Sequence, residues 1–230
     1  MVSTQVDRFK TVNLDKSMRR QIATLLQHAY HGEPNYQHLL DSKKSGYRQR
    51  LRATFREIVN IHYKKGEQVL GIVDTENDQL CGVALVLRNK NRVNLSRSVI
   101  WRLKMLLTAG FDCTVRFMDY QKLVKDAVPT DQFQIITQLC IHPRFREMGL
   151  GEQLLDAVYD DCAHKDACQG VYLDSGNPKY ASFYKRMGFS LVSELDINDF
   201  QEYIYLKPGP AFETVKSEQN LSAKVLAHAD

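Results

Sequence analysis

One stretch of the chain, residues 131–165, constrains the fold more than any other. It opens with DQFQIITQLCI, whose β-branched and apolar residues are typical of a strand, and His142-Pro143 ends that run. GEQLLDAVYDDCAHK follows with the apolar spacing of a helix, and Gly149 and Gly151 lie at the junction. A strand that passes through a short glycine loop into a helix is a building unit of α/β proteins, so we predict a mixed α/β fold.

The segments on either side extend this pattern into a single domain. Apolar periodicity predicts strands at 5–12, 170–173, 188–195 and 200–207, a hairpin at 68–88, and helices at 14–30, 47–63 and 178–187. Gly32 and Pro34 are expected to interrupt the chain after the first helix. The predicted domain spans 1–207, and 208–230 forms a peripheral tail.

About forty residues, 89–129, do not fit the strand pattern. They contain two helix-like segments just before the fourth strand, and we interpret them as a helical insertion. Three roles are open for it: a lid over a pocket, additional packing, or a dimer contact. The chain is accordingly expected to be a monomer or a homodimer.

Composition excludes several classes of protein. The chain has 230 residues, of which 43% are apolar and 25% charged, and its longest apolar run is VALVL, so no membrane span is predicted. The N-terminal residues lack the apolar core of a secretory signal. The five cysteines form no CxxC pair, and their odd number predicts reduced thiols in a cytoplasmic protein.

Positive charge is concentrated in two segments. Residues 43–65 contain eight basic residues and one acidic residue, and residues 88–104 contain six basic residues and no acidic one. Such segments can bind phosphate, nucleic acid, an acidic protein or a membrane surface, or can simply be solvated helix faces. No zinc module or RNA-binding signature accompanies them, so nucleic-acid binding is not favoured.

The two glycines of the strand–helix junction predict an anion site. The start of a helix presents unpaired N–H groups and the positive end of the helix dipole. Gly149 and Gly151 lack Cβ atoms, so a ligand oxygen can approach those N–H groups, and Arg144 and Arg146 add positive charge. Pyrophosphate fits such a site, although a glycine turn without a ligand is the alternative. The GxGxxG and GxxxxGK[ST] fingerprints are absent, which excludes those two nucleotide-binding classes.

Two motifs resemble those of the GNAT superfamily of acyl-CoA N-acyltransferases. The segment from Arg146 to Gly151 is similar to its R/Q-x-x-G-x-G/A signature, and LCIHP at 139–143 resembles its strand end. NPKYASFYKRMGF at 177–189 is similar to its second motif. The resemblance covers roughly residues 5–207 and is most specific over 131–190.

The resemblance implies both a fold and an activity. The fold is a central mixed sheet, largely antiparallel, which splays between the fourth and fifth strands and carries helices on both faces. The implied activity is acetyl-CoA-dependent N-acetyltransfer, with acetyl-CoA as acyl donor and a primary amine attacking it directly in a ternary complex. A non-catalytic acyl-CoA sensor is the alternative.

The resemblance also implies roles for particular residues. Backbone groups along Leu139, Cys140 and Ile141 pair with pantetheine, and Asn177 contacts it. The main-chain amides that hold the pyrophosphate are those of Arg146, Glu147, Met148, Gly149, Leu150 and Gly151. Tyr184 protonates the departing thiolate, a role that suits a phenol because it is protonated at neutral pH. Tyr184 can instead be an aromatic residue that only packs on the core.

The base that deprotonates the amine is not evident from the sequence. Thr137 stands where many relatives have a glutamate, and threonine cannot act as a base. The remaining candidates are Glu33, Asp174, His142, His28, His31 and His38, although Asp174 is expected to cap the loop after its strand. No metal is predicted. Cys140 can carry an acyl group but has no evident partner base, so direct transfer is favoured. The basic segments favour an acidic or phosphorylated acceptor, or an acidic protein.

Overall fold

A computed structural model describes residues 8–88, 99–128, 132–165 and 168–212. The strands are β1 (Phe9–Asn13), β2 (Gln68–Asp74), β3 (Gln79–Leu87), β4 (Phe133–Ile141), β5 (Gly170–Ser175), β6 (Ser190–Ile197) and β7 (Phe200–Pro208). The α-helices are α1 (Arg19–Ala29), α2 (Pro34–Leu39), α3 (Tyr47–Lys64), α4 (Val99–Ala109), α5 (Phe111–Asp126), α6 (Leu150–Ala163) and α7 (Ala181–Arg186). Short 3-10 helices lie at Lys16–Met18, Pro143–Phe145 and Pro178–Tyr180.

The strands form one mixed sheet in the order β1-β2-β3-β4-β5-β7-β6. β4 and β5 pair in parallel, whereas the neighbouring pairs are antiparallel. The parallel pairing ends at Ile136 and Leu173, after which β4 continues along β3 and β5 continues along β7. A gap therefore opens between β4 and β5, which confirms the predicted splay.

A β-bulge lies in β4 at the start of this gap. Gln138 pairs with Leu85 and Ile136 pairs with Val86, so Thr137 has no partner in the register. The extra residue reverses which side chains face each side of the sheet. Ile136 consequently packs in the core beneath α6, whereas Cys140 packs in the core on the opposite face.

Helices cover both faces of the sheet, as predicted. One core contains Phe55 of α3 together with Trp101 and Met105 of α4, all three almost fully buried. The core on the other face contains Leu154 and Val158 of α6. The helices predicted within 89–129 are present as α4 and α5, although the start of that segment lies outside the described residues. Among the described residues, no helix combines the length and apolar character needed to cross a membrane.

Two expectations are corrected by the fold. A short helix, α2, follows the predicted break, because Pro34 at its first turn supplies a helical φ and needs no N–H partner there. A disulfide joins Cys162 and Cys168, so the prediction of reduced thiols was wrong for these two. The end of α6 and the start of β5 bring their Cα atoms to 5.5 Å, a proximity that spacing alone did not indicate. Cys81, Cys113 and Cys140 are free and buried.

Candidate active site

Two cavities meet at the splay between β4 and β5. The larger, which we call the wide cleft, has a volume of about 390 Å³ and extends from the splay to the start of α6. The smaller, the narrow cavity, has a volume of about 110 Å³ and lies between the sheet, α3 and α5. Tyr30, Asn35 and Asp174 line both, so these three residues form the wall between them.

The wide cleft brings together most of the predicted site residues. Its lining includes Leu139, Cys140, Ile141, Arg146, Glu147, Gly149, Leu150, Gly151 and Tyr184. Met148 and Asn177 are not part of that lining. Met148 is 38% exposed, and the Asn177 side chain donates to Glu33 Oε2 at 3.1 Å and accepts from the Lys179 N–H at 3.3 Å.

The glycine loop at the start of α6 has the conformation of an anion site. Gly149 is the residue before the helix, with φ +76°, and no side chain caps the first turn. Glu147 also has a positive φ, +64°, which is costly for a residue with a Cβ atom. The first N–H groups of α6 have no acceptor within their own helix and are available to a ligand in the cleft. Arg146 and Arg186 line the same region and add positive charge.

A packing constraint that was not evident from the sequence favours glycine at position 151. A Cβ atom there would lie 3.3 Å from Cζ of Phe183 in α7. The missing side chain therefore allows α6 and α7 to pack closely, whether or not a ligand is bound. Gly149, by contrast, is required by its backbone conformation.

The exposed edge of β4 is capped by a residue that sequence reasoning missed. The Leu139 N–H donates to the Tyr30 hydroxyl at 2.9 Å, and that hydroxyl donates to the Leu139 carbonyl at 3.1 Å. Both backbone groups face the gap, where the splay has removed β5 as a partner. Burial raises the pKa of Tyr30 well above its usual value, so the hydroxyl stays protonated and can donate.

Tyr184 lies in α7 with only 8% of its surface exposed. Its ring packs against Phe183, Phe189 and Tyr205 at centroid distances of 5.4, 6.2 and 5.1 Å. Burial, and then the proximity of Tyr180, raises its pKa well above the usual value of a phenol. Tyr184 is therefore a protonated donor beside the wide cleft.

Asp174 is held by the insertion and does not cap its own loop. Its Oδ2 accepts a hydrogen bond of 2.7 Å from the hydroxyl of Tyr120 in α5, so the expected capping role was wrong. Burial raises the pKa of Asp174. No local pattern could have revealed this contact, because Tyr120 lies 54 residues earlier in the chain.

A second carboxyl group accompanies Asp174. Glu202 of β7 has no exposed surface, and neither of its carboxyl oxygens makes a hydrogen bond within the described part of the chain. Asp174, Tyr120 and Asn35 lie close enough to affect its pKa, although none meets hydrogen-bonding geometry with it. Burial first, and then the charge of Asp174, raises the pKa of Glu202 to about 10.

Glu33 is the other candidate base that lines the wide cleft. It accepts hydrogen bonds from Asn177 Nδ2 at 3.1 Å and from the Tyr180 hydroxyl at 3.2 Å. Glu33 therefore ties the loop before α2 to the segment before α7.

The candidate histidines line neither cavity. His142 Nδ1 accepts from the Arg144 N–H at 3.3 Å, His38 lies 3.2 Å from an Asp199 carboxylate oxygen, and the ring of His31 packs on Tyr47. In the segments that the structure describes, no group of three or more His, Cys, Asp or Glu residues could hold a metal ion.

Thr137 and Cys140 also have defined surroundings. The Thr137 hydroxyl donates to the Leu85 carbonyl at 3.3 Å, and Thr137 lines the narrow cavity. Burial raises the pKa of Cys140 to about 12, so this residue is a thiol at neutral pH and not the reactive thiolate.

Comparison with known proteins agrees with this geometry. Residues 112–191 match the family model of the acetyltransferase (GNAT) domain, which confirms the predicted resemblance and the enzyme class, an acyltransferase. That range contains the bulged strand, the glycine loop, Asp174 and Tyr184. No protein of curated function matches the sequence.

Several solved structures share the fold. A structure described as histone acetyltransferase HPA2 and related acetyltransferase from Corynebacterium glutamicum has a TM-score of 0.62 at 16% identity, covering 88% of this chain and 97% of that one. Arabidopsis thaliana NAA60 in complex with acetyl-CoA has a TM-score of 0.52 at 16% identity, covering 87% and 99%. The ribosomal-protein-S18-alanine N-acetyltransferase of Escherichia coli has a TM-score of 0.51 at 12% identity, covering 87% and 93%.

Proposed function

We propose that this chain, in which residues 112–191 match the acetyltransferase (GNAT) domain, transfers an acetyl group from acetyl-CoA to a primary amine by direct attack in a ternary complex. One observation carries the proposal: the wide cleft combines a splayed strand edge, a glycine loop at a helix start and a protonated tyrosine. These three features suit the three parts of the donor, which are the pantetheine arm, the pyrophosphate and the thioester sulfur.

The pyrophosphate binds the main-chain amides of the loop from Arg146 to Gly151, with Arg146 and Arg186 adding positive charge. This placement of the pyrophosphate is supported by the uncapped first turn of α6 and by the position of that turn in the cleft. Pantetheine lies along Leu139 and Ile141, with Cys140 between them. Leu139 presents one N–H and one carbonyl to the gap, which are the groups an amide of pantetheine needs. Asn177 is also proposed to contact pantetheine, although it lies outside the cleft lining and its side chain bonds Glu33 and Lys179.

Transfer then requires proton transfers at both the sulfur and the nitrogen. The neutral amine attacks the thioester carbonyl, and a backbone N–H of β4 stabilises the oxyanion by about 3 kcal/mol. The carbon–sulfur bond breaks, the thiolate takes a proton from the Tyr184 hydroxyl, and the nitrogen gives up its extra proton, which restores that hydroxyl. Cys140 does not carry the acetyl group, because its thiol has the wrong protonation state for attack.

A non-catalytic sensor of acyl-CoA is the alternative, and its support is Thr137 in place of a glutamate. Asp174 weakens that alternative, because it supplies a buried carboxyl group where the two cavities meet.

Two measurements distinguish the possibilities. Calorimetry should detect saturable binding of acetyl-CoA, and thiol release from acetyl-CoA should increase when a suitable amine is added. Binding without amine-dependent thiol release favours the sensor. No binding at all refutes both roles.

A further inference from the structure

We propose that the narrow cavity is the acceptor site, that it selects a primary amine with a slender apolar body, and that Asp174 takes the proton from its ammonium group. This inference deepens the proposed function and rests on it.

The position of the narrow cavity is the first argument. A direct attack needs the amine nitrogen and the thioester carbon in contact, so the acceptor must reach the wide cleft from another direction than the donor. The narrow cavity adjoins the wide cleft at Tyr30, Asn35 and Asp174, on the side of the sheet that α3 and α5 cover. An amine that extends from the narrow cavity therefore places its nitrogen beside Asp174.

The lining of the narrow cavity is the second argument. Most of its wall is aliphatic or aromatic, including Ile58, Ile61, Phe117, Val124, Ile135 and Tyr172. His62 also lines it, and burial lowers the pKa of this residue to about 4, so its ring is neutral at pH 7. A volume of about 110 Å³ admits a narrow chain or a single ring. Burying a polar or charged body against such walls without partners is costly.

The third argument is the pair of neighbouring carboxyl groups on Asp174 and Glu202, which we call the carboxyl pair. Tyr120 supplies one hydrogen bond to Asp174, which lines the narrow cavity. Glu202 is fully buried beside it, with a pKa raised to about 10, so Glu202 keeps its proton at neutral pH and Asp174 is the member of the pair that can ionise. An ammonium group has three N–H donors and one positive charge, which offsets the cost of ionising a carboxyl group there.

Other ionisable groups near Asp174 are tyrosines. Tyr36, Tyr120, Tyr172 and Tyr184 are all influenced by its charge, and burial raises the pKa of each well above the usual value. These phenols are therefore uncharged at neutral pH and do not compete with the carboxyl pair for the proton of the ammonium group. Because two buried carboxyl groups so close disfavour joint ionisation, the pair keeps one proton and can accept another.

The proton balance of the step is complete. The ammonium nitrogen gives one proton to the Asp174 carboxylate and becomes a neutral amine. Its lone pair forms the carbon–nitrogen bond, the carbon–sulfur bond breaks, and Tyr184 protonates the sulfur. The nitrogen loses its second proton, which restores the Tyr184 hydroxyl, and Asp174 releases its proton to solvent when the amide leaves.

This assignment differs from the acceptor that the basic segments favoured. Part of their charge is used within the chain: Arg50 donates to the carbonyls of Leu40, Asp41, Lys44 and Ser45, and Lys104 pairs with Glu57. Lys65 and Lys125 do line the narrow cavity, however, so an acidic amine has to be tested directly.

The test compares pentylamine with 5-aminopentanoate, which has the same chain length and an added carboxylate. Thiol release from acetyl-CoA by the full chain should give a kcat/KM at least about tenfold higher for pentylamine. Asp174→Asn should lower kcat with pentylamine by about 100-fold, the usual contribution of a general base, while calorimetry shows acetyl-CoA binding unchanged. Equal or reversed preference between the amines would overturn the proposed substrate class.

A matched pair of variants tests the location. Val124→Phe fills the narrow cavity and should raise the KM for pentylamine at least about tenfold, whereas Leu123→Phe changes the neighbouring residue, which is 45% exposed and outside the cavity lining. Acetyl-CoA affinity serves as the readout of correct folding in both. If both variants keep the parental KM, amines are acetylated elsewhere and the inference fails while the proposed function stands. If no amine accelerates thiol release although acetyl-CoA binds, the proposed function fails as well.

Discussion

Tyr30→Phe should lower the stability of the unliganded protein and raise its affinity for acetyl-CoA. The substitution removes the hydroxyl that bonds both the N–H and the carbonyl of Leu139. Each buried backbone group without a partner costs about 1–3 kcal/mol. Leu139 is half-buried, so water offsets part of this, and we expect a total loss of about 1–2 kcal/mol in the unliganded protein.

Acetyl-CoA should bind the same variant more tightly. In the proposed binding mode, pantetheine replaces the Tyr30 hydroxyl at Leu139 of the parent protein, whereas in the variant those backbone groups are already without the hydroxyl as a partner. If about 1.4 kcal/mol of the lost interaction returns on binding, the dissociation constant falls by about tenfold. Melting temperature should fall by about 2–4 °C per kcal/mol without ligand and recover when acetyl-CoA is present.

Thermal melts and calorimetry with acetyl-CoA measure both effects. Tyr47→Phe is the matched control, since Tyr47 donates from its hydroxyl to the His31 carbonyl at 2.9 Å and lines neither cavity. That variant should lose stability with no gain in affinity. Weaker or unchanged acetyl-CoA binding by Tyr30→Phe would refute the idea that the hydroxyl occupies the pantetheine position.

Three further predictions follow from the site and the disulfide. Tyr184→Phe should lower kcat by about 100-fold with little change in acetyl-CoA affinity, and an unchanged kcat in steady-state assays would mean that another group protonates the thiolate. Gly151→Val should weaken acetyl-CoA binding and lower the melting temperature together, because the added carbons meet the Phe183 ring; calorimetry that shows full affinity would contradict this. Cys168→Ser should lower the free energy of unfolding in denaturant by roughly 2–3 kcal/mol, the value for closing so short a loop, and a reductant should destabilise the parent but not the variant.

Local patterns predicted most elements of this protein. The helix expected at 47–63 is Tyr47–Lys64, and the hairpin expected at 68–88 is Gln68–Asp74 followed by Gln79–Leu87. The predictions for these segments are correct because the apolar periodicity directly reflects which side of each element faces the core. Pro34–Leu39 was missed because six residues are too few to establish a helical period.

The sequence by itself determined the order of strands and helices and the glycine loop that starts α6, because both depend on the spacing and type of residues close together in the chain. Tyr184 became a candidate acid only through the resemblance of its motif to that of the GNAT superfamily. Only the tertiary structure decided that Tyr30 caps Leu139, 109 positions away, and that Tyr120 holds Asp174 beside the narrow cavity. Such contacts arise when separate elements pack across the splay, and no short-range pattern encodes which side chains then meet.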